Sequence, residues 1–219
     1  MATTIYKETA MADVTVVDHP LVQQALGEMR RRETPPQVFR QRVAELSRYL
    51  AYEAMRDLPV KTVAIQTPLT AANARVIDES KIILVPILRA GLAMVEGAIA
   101  TFPHAQVRHL GIYRDEATAT PVEYYNKVPD ALDPDSLVVI LDPMLATGGS
   151  GRLAIETFQR RGIKRFKFIC VIAAPEGIAN VSVVHPALQI FTASIDSHLN
   201  DRKFIVPGLG DAGDRCFGT

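Results

Sequence analysis

Residues 137–152 read LVVILDPMLATGGSGR and decide the fold class. The first five are apolar without alternation, which is typical of a strand covered on both faces in a parallel sheet. Asp142 follows this strand, and a glycine-rich loop (ATGGS, 146–150) then opens a helical segment. Open α/β sheets bind their ligands at the carboxyl ends of their strands. The stretch therefore predicts a parallel α/β sheet with a ligand site beyond this strand.

The loop at 146–150 is interpreted as a phosphate cradle. Its adjacent glycines let backbone N–H groups approach an anion, and the helix N-terminus adds partial positive charge. The loop lacks the Gly-Lys-Ser/Thr of a Walker A motif and the G-x-S-x-G of a nucleophile elbow, which argues against both. The negative charge of Asp142 does not favour a phosphate. We expect that side chain to accept hydrogen bonds from ribose hydroxyls or to face a cationic centre.

The rest of the chain alternates between short apolar runs and helical segments. Two helices are predicted first, at 19–32 and 35–56, and they either cap the sheet or form a subunit interface. Beyond Pro59, strands are predicted at 60–66, 82–87, 107–113, 137–141, 166–173 and 188–191, with helices at 91–100, 149–161 and 175–184. This order predicts an α/β fold with a mainly parallel, doubly wound sheet.

The composition agrees with one soluble globular domain. The 219 residues include 24 basic and 24 acidic side chains, and 48% are hydrophobic. This balance excludes a disordered chain and argues against a protein that coats nucleic acid or an anionic membrane. No apolar run reaches the roughly 20 residues that span a bilayer, and the first 17 residues lack the apolar run of a secretory signal. We expect a cytoplasmic protein with no nucleic-acid partner and no membrane partner.

The two cysteines cannot by themselves make a disulfide framework or a zinc site. Cys170 lies in an apolar run and is expected to be a buried, inert thiol. Cys216 stands beside Arg215, and a nucleophile there would lack a neighbouring base. So few cysteines suit a reducing compartment.

Arginines follow two of the predicted strands. Arg89 comes after 82–87, and Arg114 comes after 107–113. Guanidinium forks match phosphate oxygens bidentately, so the pair indicates an anionic ligand with more than one phosphate group. The run Arg30–Arg31–Arg32 is interpreted differently, as the solvated end of the first helix, where positive charge is favourable.

Residues 208–213 read GLGDAG and match the pattern G-x-G-x-x-G. A dinucleotide site is not expected, because no βαβ unit follows before Thr219. We interpret the segment as glycine-rich backbone that lines a small-molecule site.

Together these motifs resemble one known family. LDPMLATGGS is similar to the motif that binds 5-phosphoribosyl 1-diphosphate (PRPP) in type I phosphoribosyltransferases, in the form found in uracil phosphoribosyltransferases. The similarity runs in order through HPLV, LAYEA, VPILRAGL, YRDE, PVEYYNK, AAPEGI, TASID and PGLGDAGDR. One departure is Lys203–Phe204, where the family usually has Gly-Tyr. The first 18 residues lie outside the resemblance.

The resemblance implies transfer of phosphoribosyl from PRPP to uracil, with Mg²⁺ as cofactor. The catalytic residues would be Arg89, Asp142 and Asp211, and Asp211 would lie near the metal, through water and PRPP. PRPP would be bound by Arg89, Arg114, Asp142, Pro143, Met144, Leu145, Ala146, Thr147, Gly148, Gly149, Ser150 and Asp211. Uracil would be bound by Ile205, Gly210, Asp211 and Ala212. A homodimer or homotetramer and a GTP effector are further expectations.

The resemblance also suggests a division of the single domain into an N-terminal arm (1–18), N-terminal helices (19–58), an α/β core (59–196) and a uracil-binding C-terminal segment (197–219). Residues 116–127 are expected to form a hairpin over the site. Two alternatives stay open. The chain could be a phosphoribosyltransferase for another base, or a non-catalytic RNA-binding regulator that senses nucleotides on the same fold. The balanced charge argues against the regulator, which should show a basic face.

Overall fold

The computed structural model describes residues 5–6, 12–114 and 120–219, with only the strand backbone described at 5, 6 and 114. The helices are α1 (Pro20–Arg30), α2 (Pro36–Ala54), α3 (Leu92–Thr101), α4 (Gly149–Gln159), α5 (Pro175–Val184) and α6 (Ala212–Phe217). The strands are β1 (Ile5–Tyr6), β2 (Asp13–Val16), β3 (Lys61–Gln66), β4 (Ala71–Val76), β5 (Ile82–Leu88), β6 (Gln106–Val107), β7 (Leu110–Arg114), β8 (Pro121–Asn126), β9 (Leu137–Leu141), β10 (Met144–Leu145), β11 (Arg165–Ala173), β12 (Gln189–Ile195), β13 (His198–Leu199) and β14 (Ile205–Val206).

The central sheet is mainly parallel. Its strands lie in the order β1-β2-β12-β11-β9-β5-β7-β8, with β10 beside β11 and β6 beside β5. Every pairing from β2 to β7 in this order is parallel, whereas the two outer pairs, β1–β2 and β7–β8, are antiparallel. The predicted α/β fold with a mainly parallel sheet is confirmed.

The sheet is covered on both faces, as the unbroken apolar strands predict. One core joins α1, α2 and α3 to alternate strand residues such as Leu84 and Val139. The other joins α4 and α5 to the intervening residues, such as Val85 and Ile140. Helices on both faces make the sheet doubly wound. The two N-terminal helices therefore cap one face of the sheet.

The structure differs from the sequence prediction in three places. The strand predicted at 107–113 is divided between β6 and β7. The run 60–66 does form a strand, but β3 pairs only with β4, in a separate antiparallel hairpin whose β3 residues are all exposed. Local β propensity does not reveal whether a strand joins the central sheet. Residues 13–16, interpreted as part of an N-terminal arm, form β2, which pairs with β12 at the side of the sheet.

The C-terminal segment follows the carboxyl end of β12 and packs into the core beneath the N-terminal helices through Leu209 and Cys216. Strand β12 ends at Ile195, and β13 and β14 then pair as a short antiparallel hairpin. Helix α6 follows after the glycine-rich stretch. We refer to residues 197–219 as the hood. In the described part of the chain, every helix is too short or too polar to cross a membrane.

Candidate active site

The predicted phosphate loop lies beyond the carboxyl end of β9. After Asp142 the chain makes β10, which pairs with the end of β11, and α4 begins at Gly149. Gly148 has φ 78°, and a Cβ there would lie 2.6 Å from the Gly177 carbonyl oxygen. The side-chain amide of Asn180 donates to the Thr147 carbonyl at 2.8 Å. The back of the loop is thus packed against α5, and the first N–H groups of α4 lack helical acceptors.

The Asp142 carboxyl lies at the floor of the same region and is partly buried. Burial raises its pKa to about 7, and the negative charge of Asp211 adds to the increase. The Met144 N–H, 3.4 Å from Oδ1, acts in the opposite direction. A carboxyl group with so high a pKa is partly protonated at neutral pH. A cation or hydroxyl donors would favour its charged form, and these are the partners predicted for Asp142 from the sequence.

A cleft of about 480 Å³ joins this loop to the hood. Its loop wall comprises Asp142 and residues 144–151, and its hood wall comprises Arg202, Lys203, Phe204, Gly210 and Asp211. The structure therefore brings together most of the residues predicted to bind PRPP and two of those predicted to bind uracil. Pro143 is buried in the loop, and Ile205 and Ala212 are buried behind the hood wall.

Arg89 lies just outside the cleft. It follows β5, and its Nη2 is 3.3 Å from Oδ1 of Asp214 on α6. The Arg89 side chain is 59% exposed, and such surface ion pairs contribute only about 0–1 kcal/mol. The guanidinium can therefore leave Asp214 at little cost, and its predicted role in binding PRPP stays a prediction.

Arg114 closes β7, the strand next to β5 in the sheet. Its side chain lies outside the described residues, so its predicted role in binding PRPP stays a prediction. Residues 115–119 of the predicted hairpin at 116–127 are also outside the described part. The remainder forms β8, which pairs with β7.

The hood wall contains the departure from the family pattern. Lys203 has φ 66°, a left-handed conformation that favours glycine. The turn is closed by Asn200, whose Oδ1 accepts from the N–H groups of Arg202 and Phe204 at 3.0 and 2.9 Å. Lysine thus occupies a position where the backbone conformation favours glycine. It also adds a positive charge next to Arg202 in the cleft wall.

Sequence reasoning missed the side chains that hold the hood. Arg30, expected to be solvated, makes two hydrogen bonds to the buried carboxylate of Asp196 at 2.6 and 2.8 Å. Arg215 donates to the carbonyls of Met29, Arg31 and Leu209 and stacks over the Phe39 ring at 4.4 Å. The sequence does place an acidic residue, Asp196, within the run TASID. It does not show which arginine binds that residue.

The cysteine predictions agree with the structure. Both thiols are buried and free. Burial raises the pKa of Cys170 to about 12 and that of Cys216 to about 11. Neither thiol is therefore activated as a nucleophile.

The fold and the cleft define a class of protein. The chain superposes on adenine phosphoribosyltransferase from Leishmania donovani with a TM-score of 0.54 over 89% of this chain and 86% of that one, at 10% identity. That likeness concerns the fold alone. With the phosphate loop at the carboxyl end of β9, it places the chain among proteins with the type I phosphoribosyltransferase fold.

Closer similarities define the family. A family model described as uracil phosphoribosyltransferase matches residues 16–219. The uracil phosphoribosyltransferase of Sinorhizobium fredii is 51% identical over 209 residues, which are 95% of this chain and 100% of that one. The AQ2163 protein of Aquifex aeolicus superposes with a TM-score of 0.89 at 36% identity, covering 94% of this chain and 98% of that one. The chain belongs to the uracil phosphoribosyltransferase family.

Proposed function

We propose that the chain transfers the phosphoribosyl group of PRPP to N1 of uracil, which gives UMP and diphosphate and salvages the free pyrimidine. The observation that carries the proposal is the cleft. A phosphate loop with a carboxylate at its floor faces a hood whose glycine-rich backbone is suited to a flat base. Family membership supports the same activity.

In the reaction, the N1–C1′ bond forms as the bond from C1′ to the diphosphate oxygen breaks. The configuration at C1′ inverts, and N1 loses its proton. The transition state resembles an oxocarbenium ion, and negative charge grows on the leaving diphosphate. Catalysis then depends on positioning and electrostatics, without a covalent intermediate.

We assign PRPP to the loop wall. The 5′-phosphate would be bound by Thr147–Ser150, where hydroxyls meet N–H groups that lack helical acceptors at the start of α4. The ribose hydroxyls would donate to Asp142, and the diphosphate would be bound by Arg89 and Arg114. Arg202 and Lys203 add positive charge on the opposite wall, which supports an anionic ligand in the cleft.

The carboxylates fit a magnesium ion bound together with substrate. Asp142 and Asp211 both line the cleft, and their charges interact. Among the described residues, no cluster of three or more His, Cys, Asp or Glu side chains could hold a metal by itself. Mg²⁺ is commonly bound by one or two carboxylates together with substrate phosphates. Asp211 would hold the ion through water and PRPP, and the ion would supply positive charge to the diphosphate.

Uracil would be recognised by backbone groups near Ile205, Gly210 and Ala212. A fixed N–H opposite O4 of uracil would meet an amino donor in cytosine and would remain unpaired. Phe204 keeps an aromatic face in this wall but lacks the hydroxyl of the usual tyrosine. The hood thereby favours uracil over the other bases that a phosphoribosyltransferase could take.

The test is UMP formation by the full chain from PRPP and Mg²⁺, with uracil, cytosine and hypoxanthine supplied in parallel. We expect turnover with uracil and at least about 5-fold less with the other two bases, because the unpaired donor costs about 1–3 kcal/mol. No UMP from uracil would overturn the proposal, and preferred turnover of another base would reassign the substrate.

We also propose that two copies associate through the β3–β4 hairpin. Leu69 at its tip is 94% exposed, and Val63 and Ile65 on β3 are exposed as well. A lone two-stranded hairpin is only marginally stable in water, and an identical hairpin offers the same apolar side chains in a twofold contact. Light scattering should show a dimer or a tetramer for the wild type and monomers for Leu69→Asp with Ile65→Asp. Monomers in both samples would overturn this assembly.

We also propose that the protein is cytoplasmic and that GTP acts as an effector. The two free, buried thiols are compatible with a reducing compartment. The GTP effector rests on the family resemblance alone. Initial rates with and without GTP at subsaturating PRPP test it, and equal rates would remove it.

A further inference from the structure

The turn that leads into the base-binding backbone rests on a buried ion pair. Arg30 is the last residue of α1, and Asp196 follows β12. The Arg30 Nη2 lies 2.6 Å from Oδ1 of Asp196, and its Nη1 lies 2.8 Å from Oδ2. The Asp196 side chain is 2% exposed, and its Oδ1 also accepts from the Ser194 hydroxyl at 2.8 Å. This two-point geometry is the strongest kind of charged hydrogen bond in proteins.

Both backbone groups of Gly208 bond to this pair. The Gly208 N–H donates to Oδ2 of Asp196 at 2.8 Å, and its carbonyl accepts from Nη1 of Arg30 at 2.7 Å. Gly208 has φ 64°, and a Cβ there would lie 2.1 Å from the Ile205 carbonyl oxygen. The path of the chain is therefore fixed at Gly208 from both sides.

The next residues lead directly to the cleft. The Leu209 carbonyl accepts from Nη1 of Arg215 at 2.9 Å, so it is fixed as well. In the described structure, the N–H groups of Gly210 and Asp211 make no hydrogen bond within the protein, and both residues line the cleft. The backbone is thus bound at 208 and 209, whereas the described N–H groups of 210 and 211 are available to a ligand.

Burial raises the pKa of Asp196, but hydrogen bonds from Arg30, Ser194 and the Gly208 N–H outweigh this and hold it below its ordinary value. The carboxylate is therefore charged at neutral pH, and the pair stays intact under the conditions of catalysis.

We propose that Arg30 and Asp196 are positioning residues for recognition of the base: their ion pair fixes Gly208 and so sets the position of the Gly210–Ala212 backbone. The inference rests on the proposed function, because the base would be read by that backbone. Recognition by backbone groups requires placement within about 0.5 Å. A shift at Gly208 should therefore weaken uracil binding and leave the loop wall unchanged.

A matched control lies on the same helices. Arg42 on α2 bonds to Glu28 of α1 at 2.6 Å and to Glu45, and among the described residues its side chain makes no hydrogen bond to the hood. Arg42→Lys therefore disturbs an α1–α2 ion pair of similar chemistry without touching Gly208. Arg30→Lys keeps the charge but cannot reproduce the guanidinium fork.

The experiment compares the full-length wild type, Arg30→Lys, Asp196→Asn and Arg42→Lys by steady-state kinetics. We expect the KM for uracil to rise about 10-fold or more in Arg30→Lys, which corresponds to the loss of one charged hydrogen bond. The KM for PRPP should stay within twofold, and Arg42→Lys should leave both constants unchanged. An unchanged KM for uracil in Arg30→Lys would overturn the inference, as would a parallel rise in both KM values.

Hydrogen exchange of peptides covering 205–212 provides a readout that needs no activity. The Gly208 amide should be protected in the wild type and in Arg42→Lys, and it should exchange faster in Arg30→Lys. If the wild type forms no UMP but this pattern holds, the proposed function fails while the positioning of Gly208 stands. If Asp196→Asn fails to fold, Arg30→Lys decides, and equal exchange in Arg30→Lys and the wild type overturns the inference.

Discussion

The two walls of the cleft are fixed by different kinds of contact. The loop wall is built on the end of β9 and packs against α5, with Asn180 holding a carbonyl 33 residues earlier in the chain. The hood wall depends on arginine contacts that span 166 residues from Arg30 to Asp196 and 186 from Arg215 to Met29. The first wall is held by elements that follow its motif closely in sequence, and the second by side chains far away in sequence. Substitutions should therefore separate PRPP binding from uracil binding.

The largest effects are expected where a glycine is enclosed in each wall. Gly148→Ala would press a Cβ against the Gly177 carbonyl, and Gly208→Ala would press one against the Ile205 carbonyl. Each should cost about 2–4 kcal/mol of unfolding free energy, from steric overlap and a left-handed backbone. Titration calorimetry should show that Gly148→Ala loses PRPP binding, whereas Gly208→Ala keeps it. Assays of UMP formation should show that Gly208→Ala loses uracil turnover.

Gly162 provides the control for this pair. It has φ 87°, but nothing lies within 4 Å of the position of an added Cβ. Gly162→Ala should cost about 1 kcal/mol from the backbone alone and should leave both substrates unaffected. If Gly148→Ala and Gly208→Ala impair the same substrate, the two walls do not act separately.

Asp142→Asn tests the floor of the loop wall. Turnover should fall about 100-fold, because charged hydrogen bonds to the ribose hydroxyls contribute about 1.5–3 kcal/mol each. The free energy of unfolding should increase in the same variant. Since burial raises the pKa of Asp142 from its ordinary 3.8 to about 7, the folded wild type binds this proton more tightly and loses stability as pH rises from about 4 to 7.

Asparagine lacks this titration. The free energy of unfolding of Asp142→Asn should therefore exceed that of the wild type. The difference should grow up to pH 7 and stay constant above it. At pH 8 it should be on the order of 1 kcal/mol or more. Urea unfolding at pH 5 and pH 8 measures the difference. A difference that shrinks with rising pH would contradict the origin of the shift.

Arg89→Ala should lose about 1.5–3 kcal/mol of PRPP-related stabilisation, the contribution of a hydrogen bond to a charged group. The KM for uracil should change little, because the Arg89 side chain bonds to Asp214 on α6 and does not line the described cleft. Asp214→Ala removes the partner of Arg89 without removing the cation, and it should leave the KM for PRPP within twofold. Unchanged PRPP kinetics in Arg89→Ala would remove this residue from the site.

The smallest effect is expected at Lys203. Glycine suits the left-handed backbone there, so Lys203→Gly should gain up to about 1 kcal/mol in stability. Loss of one positive charge from the hood wall should raise the KM for PRPP about twofold, more at low salt than at high salt. Arg202→Ala removes a charge without changing this backbone strain, and it should raise the same KM with no gain in stability.

The contrast between the walls also explains how far the sequence could be interpreted. The runs at 82–87 and 137–141 are unbroken and apolar, and the loop at 146–150 carries its chemistry in consecutive residues, so the fold class and the cleft floor were predictable. The site roles drawn from the family resemblance remain predictions. The exposed position of β3 and the pairing of β2 with β12 were missed, because both depend on contacts that local patterns do not encode. Arg30 was misinterpreted for the same reason, since its partner lies at Asp196.

Arg215 has a consequence for the order in which the protein assembles. During synthesis, 186 residues must be added after Met29 before the guanidinium that binds its carbonyl exists. The strands β5, β9 and β11 and the loop at 146–150 all precede Arg215 in the chain, so they are synthesised before it. The hood closes last, and contacts between residues so distant in sequence form slowly because a long loop must be closed first. We therefore expect the wall assigned to uracil to be completed after the wall assigned to PRPP.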